Sequence, residues 1–192
     1  MKIEIKHKST VASDKKTEEL ILYVCDKLKE EKTFGATVLN KVLYYIDAIS
    51  YAEKGNPISN FTYVKQDHGI TPHPKYFMPL KDKLLTEEIV NYHGLKQKKP
   101  IPRKTADLKV FTAEEIVHID NVLSIFRDTN AAIASSISHD ETGYKLAKHM
   151  EEIPLFTYLL THSYPKEKDI SWAKKTIKSF KSKYGKSLQR NP

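Results

Sequence analysis

The apolar residues Val38, Leu39, Val42, Leu43, Ile46, Ile49 and Ala52 recur at helical spacing, and Gly55-Asn56-Pro57 follows them. A stripe of that length fixes one amphipathic helix, opening at Thr37. Gly suits a left-handed helix end and Pro cannot continue a helix, so this one stops sharply. From Ile58 the period changes to two. Ile58, Asn60, Thr62 and Val64 would face one way, Phe61 and Tyr63 the other. Alternation rich in β-branched and aromatic residues predicts a strand. Gly69, Pro72 and Pro74 then predict an irregular loop.

Other elements are read around this pair. A short alternating start (Ile3, Ile5) precedes a helix over 14–31, with Leu20, Ile21, Val24 and Leu28 on its apolar side and Asp14 or Thr17 as its cap. Residues 75–85 read as a helix and 87–94 as a second strand. The stretch LKQKKPIPRKT at 95–105 reads as a basic loop, and 107–111 as a third strand or strand end. Thr112 and Glu115 form a capping box, each satisfying the other's backbone N–H. It opens a helix through Arg127 with Ile116, Ile119, Val122, Leu123 and Phe126 inward. Two short helices follow, at 129–139 and from Asp140 or Glu141. IPLF at 153–156 interrupts, and a last helix lies beyond Pro165. The expected fold is α+β and mainly α: a helical domain over 1–160 with a small antiparallel sheet, closed by a basic C-terminal helix at 161–192.

Chemistry is sparse. Cys25 is the single cysteine, so no internal disulfide forms, and its place beside Val24 suits a buried apolar residue. No glycine loop of the phosphate-cradling kind is present. Asp67, His68 and His73 share one short stretch, but zinc needs three or four ligands in an enforced geometry, so a shaped loop is expected rather than a metal site. Ser138 and His139 are adjacent; neighbours on a helix point to different faces, so they cannot act as nucleophile and base. Ser138 is expected to cap the next helix instead. Tyr44 and Tyr45 are expected in the core. No cofactor, metal or enzymatic activity is expected. The start, MKIEIKHKSTVASDKK, has no apolar stretch of the secretory kind, and no run approaches the roughly 20 apolar residues of a membrane span. A cytoplasmic protein is expected.

Several of these residues carry a resemblance. Lys41, Leu43, Tyr44 and Asp47 on the second helix, then Gly55, Pro57 and Ile58, then Tyr63 and Gly69, stand in the order of a lysine-led helix, a Gly and Pro-Ile step, an aromatic strand end and a Gly-Pro turn. FTAEE at 111–115 and SHDETGY at 138–144 supply the later elements. In this pattern the chain resembles the Panacea domain, also called the SocA-like antitoxin domain, over about residues 17–155. One departure is the longer turn Gly69-Ile70-Thr71-Pro72. The resemblance implies a non-catalytic antitoxin of a toxin–antitoxin system in bacteria, archaea or phages. It would neutralise the toxin of a neighbouring gene by direct protein–protein binding. One branch resembles an adaptor that delivers its toxin to a protease. The surface residues expected to meet the partner are Tyr63, Lys65, His68, Pro72, His139 and Tyr144.

Charge suggests an alternative. Residues 161–192 hold eight lysines and one arginine against Glu167 and Asp169, a net +7 of the chain's +8. The body is nearly neutral and the tail basic. Lysines neutralise phosphates, so Lys174, Lys175, Lys178, Lys181 and Lys183 could bind nucleic acid, helped by Lys96, Lys98, Lys99, Arg103 and Lys104. They could equally attract an acidic protein, or form a solvated helix face. A membrane-surface helix is disfavoured by the narrow apolar stripe.

Overall fold

The computed structural model describes residues 15–92, 94–162 and 175. The chain divides into two compact units, Met1–Thr161 and His162–Pro192. In the second, only His162 and Lys175 are among the described residues, and both are exposed. The first unit is α+β and mainly α. Its elements are α1 (Lys15–Leu28), α2 (Ala36–Lys54), β1 (Tyr63–Gln66), β2 (Gly69–Pro72), α3 (Pro74–Leu84), β3 (Leu85–Tyr92) and β4 (Leu95–Pro102). A 3-10 turn (Leu108–Val110) leads to α4 (Ala113–Phe126), α5 (Ala131–Asp140), α6 (Thr142–Leu146) and α7 (Thr157–His162). No helix among the described residues is long and apolar enough to cross a membrane.

Helix α2 is the centre of the first unit. It packs against α1, α4, α5, β2 and β4. Of the apolar stripe, Val38, Leu39, Val42, Leu43 and Ile46 are buried and Ile49 and Ala52 half-buried, and Ala48 is buried as well. Lys41, Tyr44, Tyr45, Asp47 and Ser50 are buried too. A helix covered on every side carries its polar residues inward, and those must find partners or pay for desolvation. Gly55 ends α2 in the left-handed region at φ 78°, its N–H donating to the Tyr51 carbonyl at 2.8 Å.

Residues 58–62 are not a strand. The Ile58 and Ser59 N–H groups both donate to Asp47 Oδ1, at 2.9 and 2.8 Å, and Asn60 N–H donates to Thr17 Oγ1 at 3.1 Å. Side chains of α1 and α2 take the donors that a ladder would have used. Thr17 is accordingly a buried anchor inside α1 and not its cap. Ile58, Phe61, Tyr63 and Val64 are all buried, so the residue-type alternation reports no two-faced strand.

Two further corrections share a cause. The Gly/Pro stretch at 69–72 is β2, pairing antiparallel with β1 from Tyr63 opposite Pro72 to Gln66 opposite Gly69, with Asp67-His68 as the turn. Pro72 ends the strand, where its missing N–H breaks no ladder, and His73 N–H takes over by donating to the Thr62 carbonyl at 2.7 Å. Likewise 95–102 is β4, paired along its length with β3. Pro100 and Pro102 are two residues apart, so both sit where the backbone N–H would point away from β3. Residues 108–110 form a 3-10 turn, not a strand, capped by Asp107 accepting from Lys109 N–H at 3.1 Å. The capping box at Thr112 and Glu115 is present with both hydrogen bonds.

Candidate functional site

The β1–β2 hairpin is gripped along both edges. On one side, Met150 N–H donates to the Lys65 carbonyl at 2.8 Å, Lys65 N–H to the Glu151 carbonyl at 3.1 Å, and Ile153 N–H to the Tyr63 carbonyl at 2.8 Å. The segment 150–153 thus lies along β1, and Met150 adopts φ 63° to enter this alignment. On the other side, α5 holds β2. Ser138 Oγ accepts from Ile70 N–H at 2.7 Å, and Ser135 Oγ donates to the His68 carbonyl at 3.0 Å. Ser138 therefore fixes the hairpin and does not cap the following helix.

Gly69 is where hairpin and helices meet most closely. Its φ is 103°, and a Cβ there would stand 2.5 Å from Ser138 Oγ, 2.8 Å from Lys41 Cε and 3.0 Å from Lys41 Nζ. Beneath it, Lys41 is fully buried, and its ammonium nitrogen has no hydrogen-bond partner. Burial lowers its pKa to about 7, because desolvation penalises the charged form.

At the rim the hairpin carries a cluster of polar and aromatic side chains. Lys65 Nζ lies 4.3 Å from the centroid of the Tyr144 ring and donates to the Tyr144 carbonyl at 2.8 Å. The His139 ring stacks on the same tyrosine, centroids 4.4 Å apart and planes 15° from parallel. Tyr144 Oη reaches back to the Gln66 carbonyl at 3.2 Å. His68 is exposed at the turn, and Asp67 beside it lies 3.3 Å from His149 Nδ1. Of the six residues expected at the surface, the structure brings Lys65, His139 and Tyr144 into contact and places His68 on the same hairpin. Tyr63 and Pro72 are corrections. Tyr63 is 1% exposed and donates through Oη to Asp47, and Pro72 is buried at the end of β2. Met150 and His149 join the rim without any local signal in the sequence, and Asp67, read there only as a metal candidate, pairs with His149.

The candidate nucleophiles and metal ligands read from the sequence do not converge here. Ser138 and His139 are not hydrogen-bonded to each other: the serine is fully buried and accepts from Ile70 N–H, while the half-buried histidine stacks on Tyr144. Cys25 is fully buried, and burial pushes its thiol far above the usual range. Among the described residues, no three His, Cys, Asp or Glu side chains converge as a metal site. His73 Nδ1 instead accepts from Lys75 N–H at the start of α3.

The basic patch around β4 is dispersed. Lys98 pairs with Glu87 at 3.1 Å, Lys104 with Glu19 at 3.2 Å, and Lys99 is buried with its Nζ donating to the Lys29 carbonyl. Lys96 and Arg103 are exposed. Of the tail lysines, Lys175 is exposed, and Lys174, Lys178, Lys181 and Lys183 lie outside the described residues.

Comparison with known proteins gives one positive result. The family profile described as "Antitoxin SocA-like, Panacea domain" matches residues 39–145. That span begins on α2, contains the whole hairpin and ends on α6, so it holds Lys41, Asp47, Tyr63, Gly69, Ser138, His139 and Tyr144 together. Searches of curated proteins and of solved structures find no significant match. With more than half its length inside the profile, the chain belongs to the SocA-like antitoxin, Panacea domain family.

Proposed function

We propose that this protein is an antitoxin that neutralises a protein toxin by binding it directly, without a reaction of its own. The observation that carries this is the family match, which covers every element that builds the hairpin and all but the 150–153 edge that grips it. The docking surface is the rim formed by Lys65, His68, His139 and Tyr144. Aromatic and cationic groups held by backbone bonds lose little side-chain entropy on binding, which favours an interface anchor. The dispersal of the β4 lysines gives the nucleic-acid alternative no support from that patch.

The test is co-expression with the neighbouring gene. Growth arrest by that gene alone, relieved by this protein with recovery of a stoichiometric complex, supports the reading. A harmless neighbour, or rescue without a complex, overturns it. Rescue lost when a host protease is deleted points to the adaptor mode instead.

A further inference from the structure

Strand β3 is the outer strand of its hairpin. Strand β4 packs on α1 and α2, while β3 packs chiefly on β4 and α3. The ladder fixes which backbone groups of β3 face β4. Arg103 N–H donates to the Leu84 carbonyl at 2.9 Å, and Pro102 and Pro100, opposite Leu85 and Glu87, have no N–H to give. Hydrogen-bonded pairs alternate along an antiparallel ladder, so Thr86, Glu88 and Val90 bond to β4, and Glu87, Ile89 and Asn91 point their N–H and C=O outward. Among the described residues nothing bonds to these outward groups. The two edges of the sheet differ. Prolines block the outer edge of β4, while β3 has no proline and leaves Ile89 67% exposed. An open edge of this kind is a template for another strand.

We infer that this edge pairs with the β3 edge of a second copy of this chain, antiparallel about a two-fold axis at Ile89. The outward residues Glu87, Ile89 and Asn91 are centred on Ile89, as a contact between identical surfaces requires. Ile89 then meets Ile89 of the second copy, and Glu87 meets its Asn91, each pair exchanging both backbone hydrogen bonds. The charges match this register. Glu87 and Glu88 lie in one half of the strand, Val90 and Asn91 in the other, and the exposed Lys96 stands opposite Asn91 on β4. Pairing about Ile89 sets Glu87 against Asn91, one strand away from Lys96 of the second copy, and Glu88 against Val90. Centring the contact on Glu87 or Glu88 instead opposes glutamate to glutamate, which destabilises a strand pair. The strand is complementary to itself, and this selects a second copy over an unrelated strand. The contact is independent of the antitoxin reading.

Sedimentation velocity of the full chain over a concentration series measures the dimer, and hydrogen exchange of the β3 amides locates it. A concentration-dependent dimer is expected, with added protection at Glu87, Ile89 and Asn91. Ile89→Pro removes an outward N–H and leaves the β3–β4 ladder whole, so it should weaken the dimer at least about tenfold, the loss of the hydrogen bonds across the axis. Ile89→Lys and Ile89→Glu alter only an exposed side chain and keep the fold. Each alone should weaken the dimer about three- to tenfold, because residue 89 meets itself, and an equal mixture of the two should associate more tightly than either alone. A monomer at every concentration, a dimer indifferent to these variants, or a mixture no tighter than its parts overturns the proposal. Protection of the β3 edge only by a different protein overturns it too and assigns the edge to a foreign strand. The toxin enters neither the dimer measurement nor the mixing test, so a missing dimer and a failed antitoxin reading are separate results.

Discussion

Tyr63 Oη lies 2.6 Å from Asp47 Oδ2, and both side chains are buried, one on the first hairpin strand and one on the central helix. The same carboxylate accepts from Ile58 N–H, Ser59 N–H and the Ser59 hydroxyl. Burial holds the Asp47 carboxyl above the usual carboxylate range, and these four hydrogen bonds pull against it. One side chain therefore sets both the path of 58–62 and the seat of β1.

Removing Asp47 should be far worse than trimming Tyr63. Asp47→Ala orphans several buried donors at once and is expected to cost about 3–5 kcal/mol. Tyr63→Phe removes one hydroxyl and should cost about 1–3 kcal/mol. Urea midpoints check the order, and a double-mutant cycle measures the coupling. Equal costs would mean that Asp47 acts only through Tyr63.

Gly69 and Gly55 separate two costs of glycine replacement. Both have positive φ, 103° and 78°. A Cβ at Gly55 meets nothing within 4 Å, so Gly55→Ala should cost only the backbone strain, about 1–2 kcal/mol. At Gly69 the Cβ also strikes Ser138 and Lys41. Gly69→Ala should exceed Gly55→Ala by at least about 1 kcal/mol, an overpacking cost, and should loosen hydrogen-exchange protection at Ile70. Similar melting shifts for the two would show that the hairpin yields freely.

The sequence made some of this legible, for physical reasons. Helix α2, its Gly55 stop and the Thr112–Glu115 box depend on local periodicity and local hydrogen bonds, and these are written in adjacent residues. Strands β2 and β4 contain proline, and proline signals a break unless its nitrogen faces away from the partner strand, which only the pairing decides. Residues 58–62 alternate like a strand because the core wants apolar residues there, while Asp47, eleven positions before Ile58, takes the Ile58 and Ser59 donors and Thr17 that of Asn60. At the rim, Lys65 and Tyr144 meet although 79 positions apart, so no window of sequence joins them; the resemblance names both regions without showing that they touch. Tyr63 is buried and not at the surface, because a tyrosine in a motif fits a buried hydroxyl as well as an exposed one.

Lys41 makes stability depend on pH. Its folded pKa is lowered to about 7 from an ordinary value of 10.5. Between these values the unfolded chain binds the extra proton, so stability rises with pH as the folded lysine loses its charge. The slope reaches about 1.4 kcal/mol per pH unit at most, the value for one proton. Cys25, whose thiol is raised by burial, opposes this once the unfolded thiol ionises, so the clean window runs from about pH 7, the folded value of Lys41, to about pH 8, below the ordinary thiol value of 9.0. Denaturation midpoints should climb across it in the native protein. Lys41→Met should flatten the climb and raise the midpoint at pH 7. A flat native profile would show that the ammonium finds a partner in solution.

The rim makes the last prediction. Tyr144 is held from three directions: its ring by Lys65 and His139, its carbonyl by Lys65 Nζ, and its hydroxyl by the Gln66 carbonyl. On the proposed docking surface a ring fixed in this way would act as an interface anchor, and truncating an anchor typically costs 2 kcal/mol or more, about thirtyfold in affinity. Tyr144→Ala should therefore weaken toxin binding by at least about thirtyfold. Tyr144→Phe keeps the ring and its neighbours and loses only the bond to Gln66, so it should bind within about threefold of the native protein. Calorimetric titration of the purified toxin, with melting curves of each variant, separates affinity from folding. If Tyr144→Ala folds normally and binds at full strength, the docking surface lies elsewhere on the molecule. If Tyr144→Phe alone suffices to break the complex, the hydroxyl and not the ring is what the toxin reads.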